Sequence, residues 1–250
     1  MVRRVQHERE TLRMTRHPLV KTLTAEPRKF FMSLRDIVFW IRSARTDATF
    51  EKLREQYGPQ KAFDLLYTEK QDPFGSVRSC WRYQRLKYER LISFLPNRQY
   101  RSALDVGCGL GPFTRQLSSH VDRGLGIDLS QAAVGQARLL STAQPNLKFE
   151  QCDIRNLGRS GEQFDLISVL DVLYYLSPLS DDVLKSIASQ LEGLLAPGGV
   201  LLLVNHFFFA VDSQSRQTRR IHDEICKGAS LVVTAEYRRP FFLASILAHA

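Results

Sequence analysis

The stretch from Leu104 to Gly111, with the sequence Leu-Asp-Val-Gly-Cys-Gly-Leu-Gly, combines glycines and a carboxylate at a spacing that suits a nucleotide-like ligand. It follows a short apolar run and precedes a predicted helix that starts near Pro112. Glycines let the backbone turn sharply and let a ligand approach it closely, and the N-terminus of the next helix offers unpaired N–H groups. The pattern predicts the first βα turn of a nucleotide-binding unit. Its candidate binding residues are Asp105, Gly107, Gly109 and Gly111.

The glycine spacing separates two classes of nucleotide site. The dinucleotide fingerprint is G-x-G-x-x-G, whereas this turn reads G-x-G-x-G, with Pro112 where the third dinucleotide glycine would stand. The spacing therefore disfavours an NAD-dependent dehydrogenase. A glycine-rich turn that binds nothing is the alternative, because open α/β sheets contain many such turns.

Two further carboxylates follow predicted strands. Asp128 comes 21 positions after Gly107, and a carboxylate there can accept hydrogen bonds from both ribose hydroxyls of an adenosine. Asp153 follows the third predicted strand and could bind the adenine amino group, with Leu129 and Ile154 covering the two ring faces. The alternatives are a surface aspartate favoured by a helix dipole and an exposed loop aspartate.

Together with Ala196-Pro-Gly-Gly-Val200 before a later strand, these segments resemble the class I S-adenosylmethionine (SAM) methyltransferases. The resemblance extends over residues 102–247. It implies a seven-stranded sheet whose last strand is antiparallel, with SAM as the cofactor. The residues over which SAM would lie are Gly107, Gly109, Gly111, Asp128 and Asp153.

The order of further motifs resembles the NodS-like methyltransferases, which N-methylate a glucosamine unit of chitooligosaccharide signals. In that family the helix before the first strand closes over SAM, which makes Tyr83 and Lys87 candidates for binding its carboxylate end. The chain departs from the family at Phe74 and Phe207, where tryptophan is expected, and residues 1–49 lie outside the pattern. The motifs are Asp72-Pro-Phe, Tyr83-x-x-x-Lys87-Tyr88, Leu95-Pro96, Val172-Leu-Tyr-Tyr-Leu176, His206 and Ile221-His-Asp223.

Methyl transfer needs little from the protein beyond alignment, because a sulfonium methyl is already a strong electrophile. Leu170 and Asp171, after the fourth strand, would lie where the methionine end of SAM meets the acceptor. An amine or hydroxyl acceptor must also lose a proton, and a histidine or carboxylate within reach can take it. The candidates are His206, at the end of the fifth strand, His222 on the following helix, and Asp171. The alternative for each histidine is a packed or exposed residue without a catalytic role.

Composition limits the function classes. The chain has 250 residues, a formal net charge of +9, 44% hydrophobic and 24% charged residues, which is ordinary for a globular protein. Four cysteines without a C-x-x-C pair argue against a disulfide framework or a metal site and favour the cytoplasm. Residues 1–16 lack the apolar core of a signal peptide, and no apolar run reaches the ~20 residues of a membrane span.

The positive charge invites a second hypothesis, a nucleic-acid methyltransferase. Enzymes that methylate base amino groups usually carry an Asn/Asp-Pro-Pro-Tyr/Phe motif after the fourth strand, but this chain has Asp171-Val-Leu-Tyr there. A non-catalytic SAM-fold module is disfavoured by the complete cofactor set. We therefore expect a small-molecule or sugar-containing acceptor, methylated on N or O.

The elements that must position these residues form three predicted regions: a basic extension over 1–55, a helical cap over 56–97 and a SAM-binding domain over 98–250. Residues 1–29 carry eight basic against three acidic side chains. An amphipathic helix over 30–44 is expected to pack on the domain or on a second subunit, or to lie on an anionic membrane. Oligomeric state is left open. The helix presents an apolar face of Phe30, Leu34, Ile37, Val38 and Ile41, widened by Phe39 and Trp40.

From residue 102 onward, predicted strands and helices alternate. Alternation of this kind predicts a parallel sheet with right-handed crossovers. The fold class is therefore α/β, a Rossmann-like, seven-stranded, mostly parallel sheet with helices on both faces and an N-terminal helical cap. The predicted strands are 102–106, 124–128, 147–151, 164–170, 200–204, 230–236 and 241–247, and the last two form an antiparallel pair. A polar loop is expected over 67–75, and a helix after Ser180 is expected to end at Gly198-Gly199.

Overall fold

The structure, a computed structural model, describes residues 34–77, 81–159, 161–206, 213–239 and 242–250. The basic residues 1–29, the membrane contact expected through them, and Phe207 lie outside the described part. Three helices precede the sheet: α1 (Leu34–Tyr57), α2 (Pro59–Lys70) and α3 (Arg82–Phe94).

A seven-stranded sheet with the order β3-β2-β1-β4-β5-β7-β6 forms the centre of the molecule. β7 runs antiparallel to both of its neighbours, β5 and β6, and the other strand pairs are parallel. This confirms the predicted mostly parallel, Rossmann-like sheet. Its strands are β1 (Tyr100–Val106), β2 (Val121–Asp128), β3 (Leu147–Gln151), β4 (Phe164–Leu170), β5 (Leu195–His206), β6 (Leu231–Arg239) and β7 (Phe242–His249). The connecting α-helices are α4 (Pro112–Leu117), α5 (Gln131–Leu140), α6 (Asp181–Gly193) and α7 (Ser213–Gly228), and 3-10 turns lie at Ile154–Arg159 and Leu173–Leu176.

The core lies on both faces of the sheet. Along β5, Leu202 and Val204 belong to one buried cluster, and Leu201 and Leu203 belong to the cluster on the opposite face. A parallel strand covered by helices on both sides needs apolar residues at successive positions, which explains the unbroken apolar run of this strand. Packing on both faces fixes the position of each strand, and with it the position of the residues that follow the strand's end.

The N-terminal helices differ from the sequence prediction. α1 is one continuous helix across residues 44–49 and across the predicted boundary at residue 55. Its expected apolar face points outward, since Ile37, Val38 and Ile41 are 46%, 50% and 49% exposed. Phe39 is buried instead and Trp40 packs against the core. Polar side chains of α1, Asp36 and Thr46, hydrogen-bond to the rest of the chain on this inward face, and a search for hydrophobic periodicity does not detect such contacts.

Two other boundaries also move. The expected polar loop begins only after α2, which includes residues up to Lys70, and Leu66 and Tyr67 of that helix are buried. α6 ends at Gly193, and the segment from Leu195 that was assigned to its end is the first part of β5. We call α1 and α2 the cap helices, because residues of both line a cavity above the sheet.

Within the described ranges, no helix has the length and apolar character that crossing a membrane requires. The same part of the chain holds no group of three or more His, Cys, Asp or Glu side chains arranged for a metal ion.

Candidate active site

A large cavity opens above the carboxyl ends of the central strands and below the cap helices. It contains about 1130 Å³ of space, part of it open to solvent. It lies over β1 and β4, where the strand order reverses direction, and ligands of open α/β sheets bind at this topological switch point. The cavity is the place to look for the residues that the sequence singled out.

The glycine turn forms one wall of the cavity. Gly107 and Gly109 line it and have φ angles of +71° and +53°. A Cβ atom at Gly107 would lie 2.2 Å from Val172 Cγ2, and one at Gly109 would lie 2.9 Å from the Tyr67 hydroxyl. Both positions therefore require glycine on steric and conformational grounds. Gly111, with φ +71°, is the N-cap of α4 and does not line the cavity.

Asp105 lies beneath the turn rather than in the cavity. Its two carboxylate oxygens accept hydrogen bonds from Thr114 Oγ1 at 2.6 Å and Ser168 Oγ at 2.7 Å. Burial raises the pKa of Asp105 to about 6, although these hydrogen bonds act in the opposite direction. Asp105, expected to bind the cofactor, thus joins β1 to α4 and β4, and its position suits fixing the turn.

Asp128 lines the cavity at the end of β2. Its Oδ2 accepts the Gly109 N–H at 2.9 Å and its Oδ1 accepts the Ser130 N–H at 2.9 Å. Burial raises its pKa to about 6, with the backbone hydrogen bonds opposing the shift. The carboxylate is thus fixed against the glycine turn, and Leu129 lines the cavity beside it.

Asp153 and Ile154 also line the cavity, after β3. The Asp153 carboxylate is paired with the guanidinium of Arg155, whose Nε lies 3.0 Å from each oxygen. Burial raises the pKa of Asp153, but the hydrogen bonds from Arg155 outweigh burial and lower it. An ionised, oriented carboxylate therefore lies beside the space between Leu129 and Ile154.

An ion pair between Lys87 and Asp171 lies on the opposite side of the cavity. Lys87, on α3, is 1% exposed, and its Nζ contacts Asp171 Oδ2. Burial alone would raise the pKa of Asp171, but the charge of Lys87 and the nearby His206 hold it well below its usual range. Asp171 has φ +56°, an unusual conformation for a non-glycine residue that is found at functional sites. Leu170 and Tyr83 line the cavity beside the pair.

His206 ends β5 and faces the same space. Its Nδ1 lies 2.8 Å from the Tyr174 hydroxyl and 3.5 Å from Asp171 Oδ1. Its ring centroid is 6.4 Å from that of Trp40 on α1. Six aromatic rings line this half of the cavity. The rings that line it are Phe39, Trp40, Phe63, Phe74, Tyr174 and Tyr175.

His222 is not in the cavity, so the expectation that it acts as a base is wrong. It is 2% exposed, its Nδ1 lies 3.0 Å from Asn205 Nδ2, and its Nε2 lies 2.9 Å from Ser245 Oγ. Burial lowers its pKa to about 4. Both ring nitrogens are engaged between α7, β5 and β7, which is the arrangement of a structural histidine.

The structure therefore brings together eleven of the fourteen predicted site residues and leaves Asp105, Gly111 and His222 outside the cavity lining. Sequence reasoning missed Trp40, Ser43, Phe63 and Tyr67, which the cap helices place in the cavity. Nothing in the sequence separated these residues from ordinary core residues, because their positions depend on contacts distant in the chain.

The sheet order and this cavity define the class I methyltransferase fold. A family model described as "Methyltransferase domain" matches residues 103–199. Nodulation protein S of Sinorhizobium fredii is 30% identical over 157 residues, which cover 62% of this chain and 69% of that protein. Nodulation protein S of Rhizobium tropici is 32% identical over 128 residues, 49% of this chain and 52% of that protein.

Among solved structures, the N-methyltransferase NodS from Bradyrhizobium japonicum WM9 in complex with S-adenosyl-L-homocysteine matches with a TM-score of 0.63 and 21% identity over 75% of this chain and 96% of that chain. That likeness is one of fold. On the sequence matches, the chain belongs to the NodS-like family of class I SAM-dependent methyltransferases. The matched region spans about half the length of these relatives: 52% of Nodulation protein S of Rhizobium tropici and 47% of that of Bradyrhizobium diazoefficiens.

Proposed function

We propose that this chain transfers a methyl group from SAM to a nitrogen or oxygen of a small-molecule or sugar-containing acceptor. The observation that carries the proposal is the division of one cavity into two halves. Gly107, Gly109 and Asp128 form a nucleotide-like half over β1 and β2, and His206 with Tyr174 forms a second half over β4 and β5.

The first half fits the cofactor. Asp128 is held by the Gly109 and Ser130 N–H groups where it can accept hydrogen bonds from ribose hydroxyls, and a Cβ atom at Gly107 or Gly109 would clash with the wall of the cradle. Leu129 and Ile154 offer apolar faces to an adenine ring, with Asp153 beside them for its amino group. Tyr83, Lys87 and Leu170 line the side where the amino-acid end would lie.

Bound SAM would supply an electrophilic methyl group. The chain's own residues must then hold an acceptor in line with it, and orientation can contribute roughly 7–11 kcal/mol in favourable cases. We assign His206 as the base that removes the acceptor's proton. Asp171, kept ionised by Lys87 and 3.5 Å from His206 Nδ1, favours the positive charge that His206 would acquire.

A cytoplasmic location suits this proposal. Cys108 in the glycine turn and Cys152 beside Asp153 both line the cavity. A reducing compartment keeps such thiols from forming disulfides.

Isothermal titration with SAM and with S-adenosylhomocysteine tests the proposal. We expect binding by the wild-type chain and a loss of about 10–100-fold in affinity for Asp128→Asn, because hydrogen bonds to a charged group contribute roughly 1.5–3 kcal/mol. Asp122→Asn, an exposed position on the same strand, is the matched control. Binding followed by transfer of labelled methyl groups to deacetylated chitooligosaccharides would support the whole proposal. A folded chain that binds neither compound would refute it.

A further inference from the structure

Helix α1 lies over the second half of the cavity. The Asp47 Oδ1 accepts a hydrogen bond from the Tyr175 hydroxyl at 3.0 Å, and Arg54 donates to the Ser177 carbonyl. Both partners follow β4, and Trp40 faces His206 at the end of β5. α1 lies outside residues 103–199, the span that the family model matches. The matched span thus does not include this helix, which lies over the half of the cavity assigned to the acceptor.

Helix α2 covers the other half. Asp64 Oδ1 accepts hydrogen bonds from Ser130 Oγ at 2.7 Å and from the Ala132 N–H at 3.2 Å, both at the start of α5. The Tyr67 hydroxyl lies against the glycine turn at Gly109. α2 therefore covers the nucleotide-like half and α1 covers the other half, toward which Phe63 of α2 also reaches, its ring centroid 5.7 Å from that of Tyr175.

The rotation of α1 about its axis is fixed by two buried polar contacts. Asp36 Oδ1 accepts the Tyr83 N–H at 3.1 Å, in the first turn of α3, and Thr46 Oγ1 donates to the Pro73 carbonyl at 2.9 Å. Both Asp36 and Thr46 are buried. Because these residues lie on the inward face, the residues between them at helical spacing also face inward. Trp40 and Ser43 are therefore held toward the cavity, and both line it.

The inward face combines one large ring with polar groups. Trp40 offers an indole surface opposite His206, and Ser43 contributes a hydroxyl beside it. Aromatic side chains bind flat apolar faces, and a nearby hydroxyl suits the polar edge of the same ligand. A flexible open-chain acceptor has no flat face to place against the indole of Trp40.

We propose that α1 selects the acceptor: Trp40 is the platform for a flat ring, Ser43 binds a polar group on its edge, and Asp47 positions Tyr175 beside them. The acceptor class is a ring with an apolar face and polar edge that carries the amine or hydroxyl to be methylated. This inference rests on the proposed function and adds the residues and the ligand shape to it.

Steady-state kinetics with glucosamine as the ring acceptor and glucosaminitol as its open-chain counterpart test the inference. The wild-type chain should methylate glucosamine and discriminate against glucosaminitol. For Trp40→Leu we expect the KM for glucosamine to rise about tenfold, because the variant loses the indole surface that would contact the ring. The dissociation constant for SAM should not change. Ile41→Ala, the next residue on the exposed face of the same helix, should leave KM unchanged.

A double-mutant cycle isolates the positioning role of Asp47. Asp47→Ala and Tyr175→Phe should each raise KM, and the double variant should be no worse than the worse single variant, because each removes the same hydrogen bond. Additive effects would overturn the role of Asp47. Thermal unfolding of every variant controls for loss of fold, and Trp40→Phe retains a ring if Trp40→Leu unfolds.

The outcomes separate this inference from the proposed function. Wild-type chain that binds SAM but methylates neither compound, or methylates glucosaminitol equally well, would overturn the ring acceptor and leave the cofactor site intact. An unchanged KM in Trp40→Leu would overturn the role of α1. Failure of the wild-type chain to bind SAM would instead count against the proposed function itself.

Discussion

Lys87 and Asp171, 84 positions apart in the chain, meet as a partly buried ion pair inside the cavity, with side chains 2% and 23% exposed. Removing one partner of a fully buried pair costs about 3–5 kcal/mol, and the cost should be smaller here because Asp171 is partly exposed and also faces His206. We therefore expect Lys87→Met to lower the free energy of unfolding by about 1–3 kcal/mol in urea denaturation. Lys87→Met/Asp171→Asn should recover part of the loss. A single variant that unfolds at the wild-type urea concentration would contradict this expectation.

The raised pKa values of Asp105 and Asp128 predict a pH effect on stability. Both are about 6, above the ~3.9 of an unfolded chain. Folding therefore takes up protons. The stability that this proton uptake contributes is fully present below about pH 4 and is lost as the pH rises through 6. Between pH 7 and 5, each carboxylate should add roughly 1 kcal/mol to the stability of the ligand-free chain.

His222 opposes this effect, so the measurement compares variants. Its pKa of about 4 in the folded chain lies below the unfolded value, and its contribution is lost as the pH falls from about 6.5 to 4. Denaturation of Asp105→Asn and wild type at pH 7 and 5 removes the common contribution of His222. We expect the variant to gain roughly 1 kcal/mol less than wild type. Identical gains would show that Asp105 does not titrate in this range.

Gly107 should tolerate no side chain. A Cβ atom there would lie 2.2 Å from Val172 Cγ2, and φ is +71°. Gly107→Ala therefore combines a clash with a backbone conformation that costs roughly 1–2 kcal/mol. Gly107→Ala/Val172→Ala removes the methyl groups that clash but not the backbone strain, so it should restore part of the lost stability in urea denaturation. Gly135→Ala, where a Cβ would meet nothing within 4 Å, is the control.

Substitutions at His206 and at Tyr174 should lower kcat by different amounts. If His206 removes the acceptor's proton, His206→Asn should lower kcat about 10²–10⁴-fold with an unchanged dissociation constant for SAM. Tyr174→Phe removes the hydroxyl 2.8 Å from His206 Nδ1 and should lower kcat less, because His206 itself remains. Loss of activity together with weaker SAM binding in His206→Asn would instead indicate a structural role for His206.

The sheet and the nucleotide-like half of the cavity could be predicted from the sequence because they depend on local signals. Gly107, Gly109 and Asp128 lie at strand ends, and alternating strands and helices bring strand ends to one edge. His222 was misjudged for a physical reason. A histidine on the helix after a strand carries the same local signal whether its ring faces a cavity or, as here, Asn205 and Ser245.

The cap was harder to predict because it is held by contacts that no local pattern encodes. Hydrophobic spacing selected Ile37, Val38 and Ile41 as the face of α1 that contacts the domain, a second subunit or a membrane. The face that packs on the domain instead carries Asp36, Thr46 and Asp47 beside its aromatic residues. A buried carboxylate that accepts a backbone N–H from another helix is assigned to the exposed face when only residue type is considered. The part that α1 adds to the cavity, including Trp40 and Ser43, could therefore not be predicted from the sequence.

The contacts of α1 also set an order of events during synthesis. Tyr175 comes 128 positions after Asp47, and Ser177 comes 123 positions after Arg54. At about 5–20 residues per second, the ribosome completes these partners roughly 6–25 s after the helix itself. Helix α1 can meet its partners Tyr83 and Pro73 early, but its partners after β4 exist only once most of the sheet has emerged. The half of the cavity over β4 and β5 therefore cannot be completed by α1 until that interval has passed.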